Sequence, residues 1–195
     1  MIPVPIHKEP ADFDKTVRQP GLTFIASKGT VQDSDWKGRE YWQRALPSLG
    51  ILSKGICAYC ATWIPHSTGS HSIDHFKSKS DFPKLAYEWS NFRYVSSRFN
   101  SRKGKKTIVD PQKMKFNWFI IDFSTFFIHP NSLLLNKKET ELAATTIEIL
   151  GFNDDDELVA ERATYYDDYK SKQVSLDFLK KRAPFIAMEI IRQKV

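Results

Sequence analysis

Ser72-Ile73-Asp74-His75-Phe76-Lys77, then Tyr87-Glu88-Trp89-Ser90-Asn91-Phe92, then Phe99-Asn100-Ser101-Arg102-Lys103-Gly104 is the stretch on which the fold reading turns. From Ile56 to about Phe92 the chain mixes turn formers with aromatics, which predicts short strands with a loop between them. Ser97 to Lys105 reads as a short basic helix, and Asp110-Pro111 closes the unit. Asp74 and His75 are neighbours, so on a regular strand they point to opposite faces. At a strand end or twist both can border one ligand.

Working outward, the first 35 residues carry Pro3, Pro5, Pro10 and Pro20 among scattered polar residues and read as an extended arm. Asp35 is placed to cap a helix through Leu49, with Trp36, Tyr41, Trp42, Ala45 and Leu46 on one face and Pro47 and Gly50 ending it. Beyond the central unit, Phe116 to Ile128 has the β-rich composition of a hairpin. Leu142, Ala143, Ile147 and Leu150 mark a helix over Thr140 to Leu150, with Gly151 as its C-cap. Asn153 or Asp154 caps the next helix, through Tyr166, and a last helix from Leu176 to Ile191 bends at Pro184. The fold class is therefore α+β. An N-terminal arm and helix (1–50) precede a strand-strand-helix core (51–112), and a hairpin and helical region (113–195) packs on that core or on a partner.

The chain has 195 residues, 41% of them hydrophobic, with 29 Lys and Arg against 23 Asp and Glu. These proportions are those of a globular domain and exclude collagen-like, disordered and coiled-coil classes. The charge is not evenly spread. Between His71 and Lys106 stand nine basic and three acidic residues, and the rest of the chain holds 20 of each. The whole net charge of +6 thus falls on the segment that carries Asp74 and His75. Lys77, Lys79, Arg98, Arg102, Lys103, Lys105 and Lys106 are its candidate phosphate contacts, which makes a nucleic acid the expected partner. No membrane span or secretory signal is readable, and the two cysteines suit a reducing compartment, so the expected address is cytoplasmic and no membrane partner is expected.

Hydrolysis of a phosphodiester requires a base for the water, a cation for the charge on phosphate and leaving oxygen, and groups that fix both. Asp74 supplies a carboxylate, His75 an imidazole and Asn100 a neutral oxygen. One carboxylate, one amide and waters suit Mg²⁺ or Mn²⁺ rather than zinc. His7, His66 and His129 have no such surroundings and read as structural. Tyr87, Trp89, Phe92 and Tyr94 stand beside basic residues, but a small unit needs them for its core. The acidic run Asp154 to Glu157 reads as a solvated helix N-terminus.

These motifs resemble the HNH endonucleases, whose ββα-metal fold carries an Asp-His pair on its first strand. The resemblance implies His75 as general base, Asp74 and Asn100 as metal ligands, and Asn91 as the residue that orients the histidine and braces the loop. It also implies cleavage to 3′-hydroxyl and 5′-phosphate ends. Asp74 to Ser80, Trp89 to Asn91, Lys103-Gly104, Asp110-Pro111 and Thr146 to Asn153 further resemble the HNH subunit of Septu-type and retron-associated anti-phage systems. That family works with an SMC/ABC-like ATPase, which the flanks near Trp118, Phe119, Phe126 and Phe127 could dock.

One departure from the family concerns zinc. Many relatives carry a second C-x-x-C where this chain has Ser96 and Phe99, so a four-cysteine site is impossible here. Cys57 and Cys60 either form a zinc knuckle with His66 or His71, or pack as small hydrophobes. The zinc-free alternative is preferred because Phe99 fills the vacated volume. DNA is the favoured substrate; an RNA-cleaving enzyme and an inactive nucleic-acid-binding adaptor are the two rivals.

Overall fold

The computed structural model describes residues 1–195. Helices α1 (Gln19–Lys28) and α2 (Leu46–Leu52) lead to strand β1 (His71–His75), strand β2 (Phe92–Ser96) and helix α3 (Ser97–Lys103). A second strand pair, β3 (Phe119–Asp122) and β4 (Phe127–Pro130), precedes helices α4 (Lys137–Leu150), α5 (Asp156–Lys170), α6 (Leu176–Arg182) and α7 (Pro184–Gln193). The class is α+β, with two separate antiparallel two-stranded sheets. Two-stranded sheets are marginal alone and need a cover. β1 and β2 find theirs in α3, and β3 and β4 pack on α4 and α7. One hydrophobic core joins these layers, from Phe13 through Tyr87 and Phe92 to Ile190. No helix is long and apolar enough to cross a membrane.

The N-terminal region differs from its sequence reading. The first ten residues lack regular structure, but a π-helical turn at Asp14–Arg18 runs straight into α1. Pro20 sits where the π-helical turn meets α1, within one continuous helical run, so its missing N–H leaves a carbonyl of the preceding turn without a helical donor. Phe13, Val17 and Phe24 point inward from this helical segment, too sparsely for a periodicity search to register. Gly21 is required by contact: a Cβ there would lie 2.1 Å from Cγ of the Tyr87 ring. The helix expected over Asp35 to Leu49 is instead two 3₁₀ turns, Asp33–Trp36 and Tyr41–Ala45, followed by α2. Pro47 opens α2 rather than ending a helix, because an N–H in the first turn has no intrahelical partner to lose.

The C-terminal half follows the hydrophobic pattern more closely. Ala143, Thr146, Ile147 and Leu150 form the buried stripe of α4, which Asn136 and Glu139 start with a reciprocal capping box. Gly151 ends it in the left-handed region at φ 63°. The cap of α5 is Asp155, one residue beyond the expected pair. Pro184 does not bend one helix but separates two, with Ala183 non-helical (φ −141°, ψ 63°) between α6 and α7. The proposed docking aromatics are largely spent inside: Phe119 is buried, and Trp118 and Phe126 pack against the core. Of that set only Phe127 is exposed, whereas Phe116, Leu133 and Leu134 form the open apolar positions nearby.

Candidate active site

β1 and β2 pair with Asp74 opposite Arg93 and His75 opposite Phe92. His75 is the last residue of β1, so the strand's alternation ends there, and Asp74 and His75 line the same cleft. The chain then leaves the sheet and returns through a loop, 76–91, that Asn91 holds closed. The buried Asn91 accepts the Lys77 N–H at 2.7 Å and donates to the carbonyls of Lys77 at 2.9 Å and Leu85 at 3.0 Å. All of this fixes the next carbonyl, that of Ala86, which lies 2.8 Å from Nε2 of His75. A carbonyl can only accept, so Nε2 carries the proton and Nδ1 keeps the lone pair. Trp42 and Phe92 meet the imidazole edge-on at 4.8 and 5.4 Å and lock its plane.

Burial among these rings pushes the His75 pKa down to about 4; the Ala86 carbonyl opposes this, and the charges of Lys79 and Lys103 reinforce it. At neutral pH the ring is uncharged, as a proton acceptor must be. Asn100, on α3, donates its amide N–H groups to Ser72 Oγ at 3.0 Å and the Ile73 carbonyl at 3.2 Å. Its Oδ1 is thereby left as the free acceptor of a residue that also borders the cleft. The cleft has a volume of about 360 Å³, and Ser78, Lys79 and Lys105 complete its polar rim.

Two partners of Asp74 were not assigned to it from sequence. Tyr59, fully buried in the Cys57–Cys60 turn, donates its hydroxyl to the carboxylate in a short bond. Lys103 places Nζ 3.1 and 3.0 Å from the two carboxylate oxygens and 3.1 Å from the His75 carbonyl. Its side chain is 1% exposed and that of Asp74 3% exposed, so this is an ion pair removed from water. Burial nevertheless raises the Asp74 pKa, against the lowering effects of Lys103, the Tyr59 hydroxyl and Arg93. Lys103, expected among phosphate contacts, faces inward and cannot be a surface contact. The only sequence signal for this was its place one helical turn after Asn100.

The other cations of the segment also divide. Arg93 is buried and pairs with Asp110 at 2.9 Å. Arg98 and Arg102 both bind Asp155, and Arg98 also reaches Glu157 at 3.2 Å, so the acidic run holds α3 against α5. Lys77, Lys105 and Lys106 are exposed, and Lys79 stands over the rings of Trp36 and Trp42 at the cleft.

No group of three or more His, Cys, Asp or Glu is gathered anywhere in the chain. The cleft offers a different donor set, the Asp74 carboxylate and the Asn100 amide oxygen. Both are hard oxygens of the kind Mg²⁺ or Mn²⁺ takes with few protein ligands, and a cation bound there would share the Asp74 carboxylate with Lys103 and Tyr59, which already engage it. Cys57 and Cys60 are free thiols. Cys57 is buried, and its Sγ accepts the Ser96 N–H at 3.4 Å. His66 and His71 lie with their rings 5.9 Å apart, and His71 stacks on Tyr94. Phe99 is buried against Phe152.

No protein-family model matches the chain. It is distantly homologous to two named proteins. The Septu protein PtuB of Bacillus thuringiensis is 26% identical over 132 residues, 64% of this chain and 48% of PtuB. The "Retron Vc95 putative HNH endonuclease" of Vibrio cholerae serotype O1 biovar El Tor is 28% identical over 171 residues, 78% of this chain and 77% of that protein. The chain thus spans about half the length of the first and most of the second.

Proposed function

We propose that this chain is a metal-dependent HNH endonuclease that hydrolyses nucleic-acid phosphodiester bonds, DNA in preference to RNA, within an anti-phage defence complex. The observation that carries the reading is the convergence of Asp74, His75 and Asn100 on one cleft with lysines at its rim. The relationship to a protein named as an HNH endonuclease supports it independently. Asp74 and Asn100 Oδ1 would hold the divalent cation, which when bound would supply positive charge to the phosphate and the departing oxygen. His75 takes a proton from water through Nδ1 while Nε2 stays bonded to Ala86. The water oxygen joins phosphorus, the bond from phosphorus to the 3′ oxygen breaks, the departing oxygen takes a proton from solvent water, and the products carry a 3′-hydroxyl and a 5′-phosphate. Asn91 acts at one remove, by fixing the loop that presents the Ala86 carbonyl.

The likeness to Septu-type systems supports an SMC/ABC-like ATPase as the partner. The exposed Phe116, Leu133 and Leu134 offer it more open apolar surface than Trp118, Phe119, Phe126 and Phe127 do. The decisive test is His75→Ala. Cleavage of plasmid or oligonucleotide in Mg²⁺ or Mn²⁺ falls by about a hundredfold or more, while circular dichroism and oligonucleotide binding are retained. A variant that cuts at the wild-type rate removes His75 from the mechanism. A wild-type chain that binds but cuts in no divalent metal is instead the adaptor.

A further inference from the structure

We infer that a second groove, joined to the cleft, is a seat for an unpaired nucleobase stacked on Phe82; the inference rests on the nuclease reading above and specifies its substrate. The groove has a volume of about 350 Å³ and shares Ser78 and Lys105 with the catalytic cleft, so one strand can run through both. Lys77, Lys105 and Lys106 line it, with Asp81 as the only acid. Phe82 stands among them, 47% exposed.

That exposure sets Phe82 apart from the other aromatics nearby. Tyr87, Trp89 and Phe92 are all consumed by the core. Phe82 is not on a loose segment. Its N–H bonds the Ser78 carbonyl at 2.8 Å, its carbonyl receives the Leu85 N–H at 2.9 Å, and Pro83 restricts its backbone. The ring is therefore presented by a stiff turn, and little order must be gained when it is covered. Lys77 Nζ lies 5.6 Å from its centroid, so positive charge already accompanies the aromatic face.

An apolar ring flanked by lysines matches a ligand with a flat face and an adjoining phosphate. A nucleotide has both. In a duplex each base face is covered by its neighbours, so Phe82 can stack only on a base that is single-stranded or lifted out of the helix. Asp81 at the same rim disfavours a phosphate there and leaves that end to the base. The geometry therefore assigns a substrate with an unpaired nucleotide beside the scissile phosphate.

The test compares a single-stranded oligonucleotide with a blunt duplex of the same sequence. Fluorescence anisotropy is read with the full chain in chelator at one salt concentration. Phe82→Ala is expected to weaken single-strand binding about tenfold and duplex binding less than twofold, and Phe82→Trp to retain single-strand affinity. Equal losses on both probes, or no loss on either, overturn the inference while leaving the nuclease reading intact. Failure of the wild-type chain to bind either probe overturns both.

Discussion

The basic residues between His71 and Lys106 form one patch in sequence and two populations in space. Arg93, Arg98, Arg102 and Lys103 are each tied to an acid, namely Asp110, Asp155 with Glu157, Asp155, and Asp74. Lys77, Lys79, Lys105 and Lys106 border the cleft and its adjoining groove, Lys105 with an exposed pair to Asp33 at 3.4 Å, and Lys84 lies outside both groups. The first population holds the site together, and the second is positioned to meet a phosphate chain. Local net charge marks where a polyanion could bind but not which cations are free to bind it, because the neutralising acids come from distant parts of the chain.

Substitutions separate the two groups, and the largest effect belongs to Lys103. Lys103→Met leaves Asp74 buried without its cation, and stability in urea is expected to fall by about 3–5 kcal/mol. The double variant with Asp74→Asn should recover part of that loss; a single variant losing less than about 1 kcal/mol contradicts a buried pair. Asp155→Asn comes next. Asn still caps α5, so the change isolates the charge, with an expected loss of about 1 kcal/mol near neutral pH.

Asp155 also carries a pH dependence. Burial pushes its pKa up, but the Arg102 hydrogen bond, the Leu158 N–H and the charges of Arg98 and Arg102 outweigh this and hold it below the ordinary 3.8. A depressed carboxylate stabilises the fold above its unfolded pKa and loses that contribution as pH falls through the folded value. Melting temperatures at pH 7 and pH 3 should therefore differ less in Asp155→Asn than in the wild type. An unchanged difference would show that the arginines do not hold this carboxylate.

The smallest structural effect is expected at the cleft. Lys79→Ala and Lys105→Ala should each change stability by no more than about 0.5 kcal/mol. Each should lower oligonucleotide affinity and reduce the slope of log affinity against log salt by roughly 0.7–0.9. An unchanged slope removes that lysine from the phosphate path. Arg98→Ala and Arg102→Ala provide the contrast, with a stability cost and a smaller change in slope.

Legibility from sequence followed the range of the interactions involved. The hairpin over Phe116 to Ile128, the α4 stripe and the Gly151 cap are local patterns, and they appear within a few residues of where they were read. The helical segment from Asp14 to Lys28 reads from sequence as part of an extended arm because Pro20 resembles a breaker, and its few apolar residues gain meaning only against Tyr87. Likewise Phe99 and Asn100, adjacent in the chain, divide between the core and the cleft as α3 turns. Tyr59 cannot be assigned to Asp74 from sequence, since nothing across a separation of fifteen positions signals that the two meet.

The sequence by itself determined the residue types the chemistry requires, their order, and the confinement of excess charge to one segment. It also determined that a strand pair and a helix would carry them, because hydrophobic period and turn residues act over short range. The tertiary structure alone decided that His75 presents Nδ1 and that Asn100 keeps its oxygen free. It also decided that Lys103 turns inward while Phe82 turns outward. Those outcomes depend on desolvation and on partners brought in from far along the chain, and neither is encoded until the core closes.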